Sequence, residues 1–467
     1  MLDKKALSLA IFGVALALSL ATFPPWNTLT YDGALYIDIA RNLAKGPTNF
    51  TYQGVYMMYR PPLYPYTLSL FFHFIHNPLS QLTVARLVSA IFFSLTAVLT
   101  FLLAFELLKD RNKALIASAF FILNPLAFTM GTRELVHSEF TFFYALAIYL
   151  LYTGRNREGR RIYFAFISAG LAILTRYTGL SIIGVFLVYL WLTEYWDWVK
   201  KREYWLGLGV LLLTLSPWLY LGQLHYGGFL RPFEVASRVV TLDKPVDVST
   251  YIEWLGKDLG DVLLGLTLLG LLKIRQDEEG WLILSWFAVG LTGILTVTHK
   301  ETRFITFLSP VMAILAVEGV ELMVELAGRA FSLRPERRRW KKPVVLALSL
   351  LLLLPVGLNA LHLKERWNVV GQYESMVLKY STEHYPGREL LVSPYLYTMA
   401  GFYYPKAHVD MILKKKNVEE RIAEGKYDVI IHKDPNTYLN ILTSGNYILV
   451  KEFYGRFKVF VARRILR

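Results

Sequence analysis

Through the first 360 residues the apolar positions neither alternate nor keep to one helical face; they run on, broken by short polar segments. Crossing a bilayer takes roughly 20 apolar residues of helix. Stretches near 6–24, 82–108, 114–131, 138–153, 162–176, 178–194, 204–222, 259–273, 281–298, 304–326 and 343–360 meet or approach that length. The pattern predicts an α-helical polytopic membrane protein with about 11 transmembrane helices. Residues 63–76, "LYPYTLSLFFHFIH", are apolar but short, and are assigned to a helix lying on or dipping into the membrane surface. Residues 162–194 hold two spans, with "RYTG" (176–179) turning between them.

Beyond residue 360 the period changes. "ELLVSP", "YDVIIHKD" and "YILVKEFYGRFKVFVARR" read as strands, and runs around 372–384, 396–402 and 417–424 read as helices. The chain therefore divides into a transmembrane module, 1–360, and a small soluble α/β domain, 361–467. A long first outer loop, 25–81, carries juxtamembrane helices, and a second outer loop covers 223–258. No internal repeat is visible.

Charge orients the spans. The densest basic clusters are "KDRNK" (109–113), "GRNREGRR" (154–161), "WVKKRE" (198–203), "KIRQ" (273–276) and "RAFSLRPERRRWKK" (329–342). Alternation puts all of them on the side of "MLDKK", so the N-terminus is expected in the cytoplasm and the C-terminal domain outside. The expected location is the plasma membrane, as a multi-pass protein with a retained N-terminal anchor. Composition agrees: 54% of the 467 residues are hydrophobic and 18% charged, with a mean hydropathy of +0.38. The net charge of +14 follows from the loops, and no nucleic-acid partner is expected. Without cysteine the chain has no disulfides and no thiolate metal sites.

This topology gathers polar residues at the outer face: Asp32, Asp38, Arg41, Arg60, Arg133, Glu134, His137, Glu139, Arg176, Tyr177, His225, Arg231, His299, Lys300, Glu301 and Arg303. Charges at that depth are costly against lipid and point to a shared wet cavity. Arginine forks suit phosphate, and a carboxylate takes a proton from a nucleophile. Asp32 suits a helix N-cap or a general base. Asp38 lies six positions on, about 240° around a helix, so it pairs more naturally with Arg41 than with Asp32. Pro61-Pro62 hold Arg60 in extended backbone. Arg133 with Glu134 also fits a surface ion pair. His299 and Arg303 stand at i and i+4, which share a face if the turn is helical.

"YDGALYIDIARNLAKG" (31–46) followed by "YRPPLYP" (59–65) resembles the first outer loop of the GT-C membrane glycosyltransferases, in the branch of protein O-mannosyltransferases and lipid A aminoarabinose transferases. "HKETRF" (299–304) resembles a His-Lys-Glu-x-Arg-Phe turn of dolichyl-phosphate-mannose-dependent mannosyltransferases. The chain departs from the family pattern at Asp32-Gly33, where Asp-Glu is usual. The resemblance implies a GT-C-like fold and an inverting transfer of a sugar, mannose or another hexose or pentose, from a polyprenyl (dolichyl) phosphate. The acceptor would be a hydroxyl of a protein, glycan or lipid at the outer face of the bilayer. It implies Asp32 as the catalytic base, and Arg60, Arg176, His299, Lys300 and Arg303 on the donor phosphate. Asp38, Arg133, Glu139, Tyr177 and Glu301 would orient substrate. No cofactor or metal is required by this scheme.

Two other classes compete. A polyprenyl-lipid transporter or flippase would want ionisable groups at mid-bilayer and repeat symmetry. A receptor would give no reason for acids and cations on separate turns. Two signals are set aside: "YWDWVK" (195–200), expected to be an aromatic belt with basic anchors, and His408, Asp410, His432 and Asp434, whose spacing suits no metal.

Overall fold

The structure, a computed structural model, describes residues 3–52, 54–157, 159–242, 245–330, 341–403, 409–411, 418–432 and 445–466. Every apolar stretch falls on helix. Among the described residues, six helical segments are long and apolar enough to cross a membrane: Lys4–Ala21, Pro78–Leu108, Tyr177–Glu194, Arg202–Tyr226, Thr302–Arg329 and Lys341–His384. The apolar helix Asp261–Leu272 is shorter, at 12 residues, about 18 Å of helix against a hydrocarbon core of about 30 Å. The stretch 114–131, expected as one span, is two helices, Arg111–Ile122 and Pro125–Met130. Asn124 ends the first and caps the second, accepting from the Leu126 and Ala127 amides, with Pro125 at the first helical position. The loop expected over 223–258 is largely helical, with Arg231–Leu242 and Val248–Leu259.

The chain forms two compact units. The first comprises 1–23, 57–64 and 86–365. One end of it is a belt of ion pairs. Lys4 and Arg157 share Glu106 at 3.4 and 2.6 Å, and Lys109 meets Glu279 at 3.2 Å. Arg155 bridges Glu194 and Glu278, and Lys201 joins Glu194. Lys113, Lys273 and Lys341 converge on Glu318, Glu321 and Glu325 of the helix Ser309–Ala330. Lys342 closes on Asp110. The basic loops that alternation assigned to one side therefore do meet at one end of the helices. Within the bundle, Asp261–Leu272 and Ser309–Ala330 touch backbone to backbone. A Cβ on Gly270 would strike the Leu315 carbonyl, and one on Gly319 the Leu266 carbonyl. Small residues allow this close approach, as at many membrane helix interfaces.

The second unit comprises 24–56, 65–85 and 366–467. Its sheet runs β4 (Val409–Met411), β3 (Leu390–Val392), β5 (Val429–His432), β7 (Phe457–Ala462), β6 (Tyr447–Phe453). β4, β3 and β5 are parallel, while β7 is antiparallel to β5 and β6. Leu391, Ile430, Tyr427, Tyr447, Phe460 and Ile422 fill its core. The helices Gln372–His384, Pro394–Tyr403 and Val418–Ala423 lie where the periodicity put them; β4 is an addition. A short ribbon, β1 (Thr51–Tyr52) with β2 (Val55–Tyr56), belongs to the same unit. So does the helix Tyr31–Lys45, whose Arg41 donates to Gln81 at 2.6 Å and stacks over the Phe402 ring at 5.0 Å. His408 and Asp434 lie outside the described residues.

Candidate active site

At the end of the first unit away from the ion-pair belt, the turns 132–137, 176–180 and 299–303 meet. Phe304 is their hub. The Arg176 guanidinium lies 4.5 Å from its ring centre and that of Arg303 5.8 Å. The His137 ring stacks on it at 6.4 Å, and His299 approaches edge-on at 6.0 Å. Arg176 donates to Nδ1 of His137 at 3.0 Å. Burial, then the nearby Arg176 and Arg303, hold His137 well below the usual imidazole range, so it is neutral and accepts that proton. Glu301 accepts from Arg303 through both oxygens, at 2.5 and 3.0 Å, and lies 3.2 Å from Nε2 of His299. Two arginines, two imidazoles and one carboxylate thus surround one aromatic ring. Cations over a ring face gain from its quadrupole, and the ring keeps them apart.

The geometry of "HKETRF" differs from the helical reading. Glu301 is extended (φ −128°, ψ 145°), and a 3-10 helix begins only at Thr302. His299 and Arg303 meet on the Glu301 carboxylate, while Lys300 turns away. Its side chain is buried and donates to the Val246 carbonyl at 2.9 Å. Lys300 is thereby committed to protein, away from the group that the other three residues form.

A second set holds the loop that carries Arg60. The Tyr177 hydroxyl donates to the Met58 carbonyl and accepts from Nε1 of Trp218, both at 2.8 Å. The Met58 amide donates to the Tyr226 hydroxyl at 2.9 Å. Arg60 stacks 5.5 Å from the Tyr59 ring. Tyr177 thus acts on the Met58–Arg60 loop.

Arg133 and Glu134 correct the surface-pair reading. Both are fully buried, at 3.2 Å, and Glu134 also accepts from the fully buried Arg86 at 3.0 Å. A guanidinium so enclosed braces the turn rather than orienting a substrate. Lys364, buried as well, donates to the Thr132 hydroxyl and lies 5.2 Å from the Phe128 ring. Sequence reasoning passed over Arg86, Lys364 and the role of Phe304; a lone arginine inside the apolar stretch 82–108 was the available signal for the first. Glu139 is buried in the first turn of His137–Asn156. Arg231 pairs with Glu234 at 2.7 Å in an exposed position. In "YWDWVK", Asp197 pairs with Lys200 at the surface.

In the second unit, Asp32 sits half-buried in the first turn of Tyr31–Lys45. The cap of that helix is Thr30, whose hydroxyl accepts from the Gly33 amide at 3.0 Å, so Asp32 is not needed for capping. The Asp38 charge acts on Arg41, as the spacing suggested.

Residues 59–221 match the family described as dolichyl-phosphate-mannose-protein mannosyltransferase. That segment contains Arg60 and Arg176 but neither Asp32 nor the 299–304 turn. An uncharacterized protein of Aquifex aeolicus is 29% identical over 219 residues, 45% of this chain and 43% of that protein, so the match spans less than half of its length. Among solved structures, ArnT from Cupriavidus metallidurans bound to undecaprenyl phosphate superposes with a TM-score of 0.75 at 15% identity, covering 97% of both chains. The oligosaccharyltransferase AglB from Archaeoglobus fulgidus, in complex with an inhibitory peptide and a dolichol-phosphate, gives 0.59 at 15% identity, covering 99% of this chain and 75% of that one. The protein is an integral membrane protein with the fold that these enzymes share.

Proposed function

Starting from a chain with the GT-C membrane glycosyltransferase fold, we propose that it transfers a sugar from a polyprenyl phosphate to an acceptor hydroxyl at the outer membrane face, with inversion. It is an enzyme. One observation carries the site assignment: the Phe304-centred group of Arg176, Arg303, His137 and His299, at the helix ends opposite the basic belt. Two fixed guanidinium groups at a half-buried position match a phosphodiester and gain strength as charge builds on the leaving phosphate. The positive-inside trend puts the basic belt in the cytoplasm and this group outside.

Asp32 takes the acceptor's hydroxyl proton. The resulting oxygen attacks the anomeric carbon as the bond from that carbon to the phosphate oxygen breaks. The carrier phosphate leaves with the bonding electrons, stabilised by Arg176 and Arg303, with Arg60 supplied by the loop that Tyr177 holds. Glu301 and His137 hold the two arginines in place between turnovers. A single displacement inverts the anomeric centre. Mannose is the favoured sugar, and a protein, glycan or lipid hydroxyl the acceptor class.

The test is transfer itself. Purified protein in lipid nanodiscs is incubated with radiolabelled sugars carried on dolichyl or undecaprenyl phosphate. Release of carrier phosphate together with label in an acceptor is expected for at least one donor, mannose first. Label that crosses the bilayer still attached to its lipid, with no transfer, overturns the reading in favour of a flippase.

A further inference from the structure

The turn that carries His299 and Arg303 is gripped by one neighbouring segment of the same unit. The Val246 amide donates to the Thr298 carbonyl at 3.1 Å. Lys300 returns a bond from Nζ to the Val246 carbonyl at 2.9 Å. The Tyr251 hydroxyl donates to the Glu301 carbonyl at 3.4 Å. Thr302 donates its hydroxyl to Oδ2 of Asp258. Asn359, from Lys341–Asn368, fixes the far end by donating to the Asp258 carbonyl at 3.0 Å. Residues 298, 300, 301 and 302 are thus each tied to 246–258. His299 and Arg303 instead lie around Phe304.

We propose that Val246–Asp258 is the positioning element of the donor-phosphate turn, with Thr302, Asp258 and Tyr251 as positioning residues and Lys300 as its strut; this rests on the donor site of the preceding subsection. The logic is that of preorganisation. A guanidinium binds a phosphate at full strength only if its backbone is held before the ligand arrives, because ordering it on binding costs free energy. Thr302 adjoins Arg303, so the bond to Asp258 fixes the start of the 3-10 turn that aims it. Tyr251 is fully buried and burial raises its phenol, so the hydroxyl remains a donor. Lys300 spends its charge on a carbonyl, which explains a lysine inside a cation-rich motif that does not join the cation group.

The experiment compares Thr302→Val, which keeps shape but loses the donor, with Thr302→Ser, which restores it, and with Tyr251→Phe. Donor titrations give kcat and KM, a thermal melt reports folding, and binding of undecaprenyl phosphate alone is measured in detergent micelles. Thr302→Val is expected to raise donor KM by about tenfold and weaken carrier binding similarly, with kcat changed less than about twofold. Thr302→Ser should recover most of this, and Tyr251→Phe should give a smaller rise. If wild type binds the carrier and Thr302→Val binds it equally well, or if Thr302→Ser is as impaired as Thr302→Val, the positioning role is wrong while the donor site stands. If wild type neither binds the carrier nor transfers sugar, the donor site falls and this inference with it.

Discussion

Asp32→Asn is expected to lower kcat for sugar transfer by about 10²–10⁴-fold, the range of a lost general base, while donor KM changes little. Asparagine has nearly the same shape but takes no proton at neutral pH. The helix start survives the change, because its cap is the Thr30 hydroxyl accepting from Gly33, and Asp32 follows in the first turn. An unchanged thermal melt would confirm intact folding; transfer within about tenfold of wild type would reject Asp32 as base. Gly33 makes the single acid intelligible. It is buried, and a glutamate there would place a second carboxylate in a closed position that needs a partner.

Glu134→Ala is expected to cost about 3–5 kcal/mol of stability, the usual consequence of stranding a buried charge. Two guanidinium groups depend on this carboxylate, Arg86 at 3.0 Å and Arg133 at 3.2 Å, and all three side chains are fully buried. Removing the acid leaves two cations enclosed beside Lys364, whose amine rests on the Thr132 hydroxyl. Thermal unfolding in detergent reads the effect directly. A melting temperature equal to that of wild type would mean that the cluster does not hold the 132–137 turn. Because His137 begins the helix after that turn and accepts from Arg176, the same variant should also weaken carrier binding.

What was legible from the sequence follows from the range of each interaction. Helices were visible because lipid-facing and core positions are both apolar, so each span is a continuous run. The break at 176–180 showed in "RYTG", but the break at Asn124 was hidden because the residues on both sides stay apolar. The helices Arg231–Leu242 and Val248–Leu259 were read as loop, since interfacial helices carry charge and lack a spanning run. "HKETRF" suggested that His299 and Arg303 come together, and they do, but not on an α-helical face. An i, i+4 rule applies to α-helix, whereas here Glu301 is extended, a 3-10 helix starts at Thr302, the Glu301 carboxylate joins His299 to Arg303, and Lys300 turns to Val246. Arg86 with Glu134 lies beyond any local pattern, 48 positions apart. Lys364 finds Thr132 across 232. Only packing of distant helices reveals such pairs.

The central claim is that the group around Phe304 binds the phosphate of a polyprenyl carrier. Its most direct test is the affinity of the purified protein for undecaprenyl phosphate, compared among wild type, Arg176→Ala and Arg303→Ala. Each substitution removes a charged donor and is expected to weaken binding by about 10- to 100-fold. Equal affinity in all three proteins would show that the phosphate is held elsewhere and would contradict the account.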